Sequence, residues 1–201
     1  MKRIVLFALV IAITPRLFAQ NTDSPPIIAP PPDVISAESI PGALDYVSGL
    51  TSHPDSDVIG LFLTKDEITR SISRYVALDH RYVFISRHKP RLMLQDDELA
   101  FQQLAQSMRK HLFEQQISVA GTSVQAEKVV IDETDCLAKS MVAKLTVGNS
   151  TVAMDMLMAY VRIDGKIVTI FASTRNDDAS GKAWLQGPIV TWLRKLPAST
   201  H

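Results

Sequence analysis

The Asp164-Gly165 pair, set between two long runs rich in β-branched and aromatic residues, limits what this chain can fold into more than any other feature. A type I′ turn needs positive φ at both central positions, which Asp-Gly supplies at low cost, so strands are predicted over 151–163 and 166–174 as the arms of an antiparallel hairpin. A third strand over 141–147 enters the first arm through Gly148-Asn149-Ser150, giving a three-stranded meander. In the middle strand Met154, Met156, Met158 and Tyr160 point one way, and Ala153, Asp155, Leu157, Ala159 and Val161 point the other.

A sheet of this kind needs cover. Phe101, Leu104, Ala105, Met108 and Leu112 recur at three- and four-residue steps, which predicts a helix from about Asp96 to Gln116. Asp96, Asp97 and Glu98 suit its positive end, and Arg109, Lys110 and His111 its negative end. The methionine face is expected to pack on it. A last helix over 179–196 places Leu185, Ile189, Trp192, Leu193 and Leu196 on one stripe, and Gly187-Pro188 must kink or split it.

Upstream, VIGLFL within 57–63 and YVFIS at 82–86 read as strands. Thr64 and Glu67 have capping-box spacing, so a short helix is expected to open there and run towards Arg74, although 72–76 suits a strand equally. The predicted fold class is α+β: an antiparallel sheet, with its C-terminal three-stranded meander, and a long helix and a C-terminal helix packed on one face. This order of elements is similar to that of several unrelated groups, the Mog1 and PsbP-like folds among them. No motif ties the chain to either, so the likeness is one of architecture and implies no function.

The N-terminus reads as a secretory signal peptide over 1–19: Lys2 and Arg3 are followed by an unbroken apolar run from Ile4 to Ile13, and Leu17-Phe18-Ala19 ends in a small residue. Ten apolar residues cover about half of a ~30 Å hydrocarbon core, which argues against a membrane anchor. Six of the eleven prolines fall between Pro25 and Pro41, so 20–43 is expected to be a proline-rich linker, with a single α+β domain over 44–201. The linker is either a plain spacer or a docking peptide for an aromatic groove. The expected location is periplasmic or secreted, with no membrane insertion after signal cleavage. Cys136 is the only cysteine, so no disulfide forms within the chain.

Loss of Lys2, Arg3 and Arg16 with the signal would take the basic count from 21 to 18, against 21 acidic side chains. That mildly acidic surface has no block of like charge, which excludes nucleic acid as the expected partner.

The local signatures GxSxG, HExxH, the Walker loop and GxGxxG of common enzymes do not occur. Three constellations remain. Asp79-His80-Arg81 with Arg87-His88 would form an acid–base or anion site if a hairpin gathered them at one rim, with His80, Asp79 and His88 as catalytic candidates and Arg81 and Arg87 as ligand-binding ones. A polar turn and a charged strand end is the competing reading. His53-Pro54-Asp55-Ser56-Asp57 has the residue types for a metal but too few ligands, so no metal and no cofactor is expected. Cys136 follows the acidic run Asp132-Glu133-Thr134-Asp135, which disfavours a thiolate, so it is expected to be a buried structural thiol, with an intermolecular disulfide as the alternative. Met141, Met154, Met156 and Met158 follow the strand pattern and read as core rather than as soft-metal ligands.

Two functions fit. The first is a non-enzymatic exported binding or accessory domain whose partner is an envelope protein or a small ligand. The alternative is a small exported hydrolase using a His/Asp acid–base pair.

Overall fold

The computed structural model describes Pro26 and residues 28–38, 40–43, 56–71, 81–88, 97–110, 122–147 and 150–198. Its strands are β1 (Ile35–Ser36), β2 (Ser56–Leu63), β3 (Tyr82–His88), β4 (Thr122–Glu133), β5 (Cys136–Val147), β6 (Ser150–Ile163) and β7 (Lys166–Arg175). The helices are α1 (Lys65–Ser71), α2 (Asp97–Lys110), α3 (Ala179–Trp184) and α4 (Val190–Lys195).

All seven strands form one antiparallel sheet in the order β1-β2-β3-β7-β6-β5-β4, so the fold is α+β. Asp164 (φ 49°) and Gly165 (φ 71°) both hold positive φ, as the hairpin between β6 and β7 requires. Gly165→Val is expected to lower stability by about 1 kcal/mol or more, read as a shifted urea midpoint, because a β-branched residue resists that backbone. Thr64 and Glu67 form the capping box. The Glu67 amide donates to Thr64 Oγ1 (3.3 Å), and the Thr64 amide donates to Glu67 Oε2 (2.9 Å). Residues 72–76, whose state the sequence left open, lie outside the described residues, as does 111–116, the expected end of the long helix.

The meander has four strands rather than three, because β4 pairs with β5 along its length. Register shifts between Val124 and Ala126 and between Val129 and Ile131 break its alternation, which hides the strand from a period-two reading.

The two predicted helices do not share a face. Phe101, Ala105 and Met108 of α2 pack on Leu137, Met141, Met158 and Tyr160, so the methionine face meets the long helix as expected. Trp184, Leu185, Ile189, Trp192 and Leu193 pack instead with Ala138, Leu157, Ala159, Val161 and Ile163. Neighbouring residues of a strand point to opposite faces, so Met158 and Tyr160 on one side and Ala159 and Val161 on the other need separate cover. The C-terminal segment loses its α-helical ladder around Gly187-Pro188 but stays helical, with αR dihedrals at Leu185 and Val190. Leu185–Ile189 is a π-turn with Pro188 inside it, between α3 and α4.

The stretch expected to be a linker is packed where it is described. Val34, Ala37, Ile40 and Ala43 are buried, Ile35 pairs with Leu63, and the Ala37 amide donates to the Leu61 carbonyl (2.8 Å). Two indoles hold the prolines: Trp184 Nε1 donates to the Pro32 carbonyl (2.9 Å), and Trp192 Nε1 donates to the Ala29 carbonyl (3.1 Å). Prolines lack amide donors but keep their carbonyls, so such a segment still satisfies its polar groups against a donor-only side chain.

Candidate functional site

Strand β3 separates the two arginines of the candidate rim. Tyr82–His88 is one continuous strand, with Arg81 just before it and Arg87 near its far end. Six residues at ~3.3 Å each separate the two arginines by about 20 Å along the strand, so no hairpin brings them together. Arg87 pairs in register with Asp57 of β2 and Val168 of β7. His88 closes the strand; Asp79 and His80 lie outside the described residues.

Arg81 meets a partner 97 residues away. Its Nε and Nη2 each lie 3.1 Å from Asp178 Oδ2, and Nη2 also bonds Ser180 Oγ. Asp178 is the N-cap of α3 and accepts from the Gly181 amide (2.9 Å), the Ser180 hydroxyl (2.9 Å) and the Thr174 hydroxyl (3.2 Å). One carboxylate therefore ties β7, the start of α3 and the entry to β3 into a single corner. Beside it Asp155 of β6 accepts from Asn176 Nδ2 (2.9 Å), with Lys182 Nζ at 3.5 Å.

Burial alone would raise the Asp178 pKa. The Gly181 amide, the Ser180 hydroxyl and Arg81 outweigh it and hold the carboxyl at about 2, below its ordinary 3.8. A carboxylate this acidic is a poor proton acceptor near neutral pH, so the corner works as a clasp rather than as acid–base machinery. Because the folded pKa is depressed, the stabilisation is fully present above about pH 4 and is lost as pH falls through about 2. Asp178→Asn is accordingly expected to flatten the fall in melting temperature between those pH values; an unchanged slope would show that the clasp contributes nothing.

Cys136 has no exposed surface, and burial first, then Glu133, pushes its thiol up to about 12, with Arg194 opposing and Asp135 adding. The acidic neighbours foreseen from sequence thus act in the expected direction, but burial is the larger cause. The thiol is protonated at neutral pH, which suits a core residue and not a nucleophile. Met141, Met156 and Met158 lie against α2, and Met154 lies with Leu61, Leu63 and Tyr82. Asp57 is exposed on β2, while His53 and Asp55 lie outside the described residues. Among the described residues no three His, Cys, Asp or Glu side chains gather as a metal site, and no helix is long and apolar enough to cross a membrane.

Sequence reasoning missed a buried ion pair. Lys139 Nζ lies 3.2 Å from Glu127 Oε2 with the side chains only 6% and 8% exposed. Alternation with Leu137 and Met141 places Lys139 on the inward methionine face, and that was the signal to find it.

No family model matches the chain, and no curated protein matches it. Among solved structures it is similar to the Pseudomonas aeruginosa protein PA94, of unknown function, with 12% identity and TM-score 0.32 over 53% of this chain and 70% of that one. It is also similar to the Ran-binding protein Mog1p of Saccharomyces cerevisiae, with 9% identity and TM-score 0.39 over 86% of this chain and 87% of that one. Likenesses this loose are of outline only, and the functional reading rests on this chain's own residues.

Proposed function

We propose that this chain is an exported, soluble α+β module that acts in the periplasm or outside the cell by binding an envelope protein or a small ligand, without catalysis. The observation that supports it most is the fate of Arg81. The guanidinium that an anion site would need is committed to Asp178 at the α3 cap, and Arg87 lies at the other end of the strand. The sheet supports a scaffold role, with buried apolar side chains on both faces.

Export is tested by mass spectrometry of protein from periplasmic and culture fractions, where the chain should begin at Gln20 or within a few residues of it. Intact Met1 in a membrane pellet would sink that half of the reading. Binding is tested by formaldehyde cross-linking in intact producing cells, followed by sizing of adducts. One or two discrete adducts are expected; a chain that stays uncross-linked although exported argues against a binding role.

A further inference from the structure

The two tryptophans do the same thing in the same place. Trp184 and Trp192 each donate an indole N–H to a carbonyl of the segment Ala29-Pro30-Pro31-Pro32. Indole is a donor only, and a proline run offers carbonyls without competing amides, so the two chemistries fit. The spacing fits as well. Ala29 and Pro32 are three residues apart, which in an extended polyproline conformation is one turn or about 9 Å and sets both carbonyls on one side. The indoles stand eight residues apart on one helical stripe, about 12 Å along the axis, which the length of the rings accommodates.

The segment does not fill the surface it lies on. An open depression of about 640 Å³ remains beside it, lined by Pro30, Pro32, Pro188, Thr191, Trp192 and Lys195. Its outer wall is the π-turn, where Gly187 and Pro188 are exposed. Local π geometry of this kind recurs at functional sites.

We propose that Trp184 and Trp192 form a polyproline-reading groove, held in the free protein by the chain's own Ala29–Pro32, which takes an extended proline-rich peptide of a partner by exchange with that segment. This rests on the reading of the chain as a binding module and names the chemistry of its partner. The seated segment is the argument for the occupant: it shows which ligand the two donors fit, and the free space beside Trp192 gives an incoming peptide its first contact. The tethered segment competes at an effective concentration on the order of mM, so exchange is weak until that segment is loosened.

The chain holds two tryptophans, so ¹⁵N-labelled mature protein gives two indole N–H signals that report on the groove directly. The probe is a synthetic peptide with the sequence of residues 27–34, IIAPPPDV, and the control replaces its three prolines with glycine. Both signals should shift saturably at mM peptide in the wild type. In a Pro30→Gly/Pro31→Gly/Pro32→Gly chain they should shift at about tenfold lower concentration, because the internal competitor is weakened. No movement in either protein, or equal movement with the control peptide, overturns the proposal. If the triple variant loses indole dispersion and is unfolded, the wild type decides alone, and its silence at several mM peptide overturns the proposal. Purified protein and peptide suffice, so failure here leaves the fractionation and cross-linking results standing, and their failure leaves this one standing.

Discussion

Lys139→Met is expected to destabilise the protein by about 3 kcal/mol or more, although methionine matches the lysine stem in length and suits the methionine face around it. The cost comes from Glu127. With the pair at 3.2 Å and both side chains nearly dry, removal of the ammonium takes this counter-charge from the Glu127 carboxylate on the sheet face that carries Leu137, Met141 and Met158. Breaking one side of a buried pair typically costs ~3–5 kcal/mol, whereas replacing both partners with apolar groups is often neutral or better. The double variant Lys139→Met/Glu127→Leu should therefore recover most of the loss, and urea denaturation of the four proteins gives the coupling energy. A loss below about 1 kcal/mol in the single variant would show that the pair is solvated and behaves like a surface bridge.

Lys139 also shows where the sequence was legible and where it was not. The alternation of β6 and the Asp164-Gly165 turn are local signals, and local physics decides them: φ at two positions and the pleat of one strand. The interruption of the C-terminal helix was legible for the same reason, since Pro188 cannot continue an α-helical ladder. The cover of the second face was legible as well, in the unbroken apolar run Met156-Leu157-Met158-Ala159-Tyr160-Val161. Alternating polar residues mark a half-buried strand, and a continuous run marks one buried on both sides. Placing both helices on one face ignored that run. The packed segment had its own signal, apolar residues at every third position in Val34, Ala37, Ile40 and Ala43, outweighed by the prolines beside them.

The site was less legible because its geometry is long-range. The sequence offers Arg81 beside Asp79 and His80, but the partner that fixes its role, Asp178, is 97 residues away, and the pairing exists only once β3 lies against β7. Arg81 and Arg87 are near neighbours in sequence and far apart in space, because the residues between them are extended. The tryptophan contacts depend in the same way on chain closure, over 152 and 163 residues. Residue types within a few positions of one another are a good guide to turns and caps, and a poor guide to sites assembled from both ends of a chain.

Gly181→Ala should cost about 3 kcal/mol, against the usual expectation that alanine stabilises a helix. The reason is the closeness of α3 to β7. A methyl at Gly181 would stand 2.5 Å from Asp178 Oδ2 and 2.8 Å from Thr174 Cβ, and would collide with Thr174 Oγ1. These are not the far ends of flexible side chains, since Thr174 is fully buried in β7 and Asp178 is held by four donors. Relief of the clash therefore shifts the first turn of α3, at an overpacking cost of ~1–3 kcal/mol. It also stretches the Gly181-to-Asp178 bond that caps the helix, which is worth about 1 kcal/mol, and so loosens the carboxylate that Arg81 grips. Two controls separate this account from a simple propensity effect. Thr174→Ala removes the colliding hydroxyl, so the double variant Gly181→Ala/Thr174→Ala should lie closer to Thr174→Ala than additivity allows. Gly187→Ala meets nothing within 4 Å and should change stability by no more than about 0.5 kcal/mol. If Gly181→Ala and Gly187→Ala behave alike in thermal denaturation, the close approach of α3 to β7 is wrong, and with it the clasp built on Asp178.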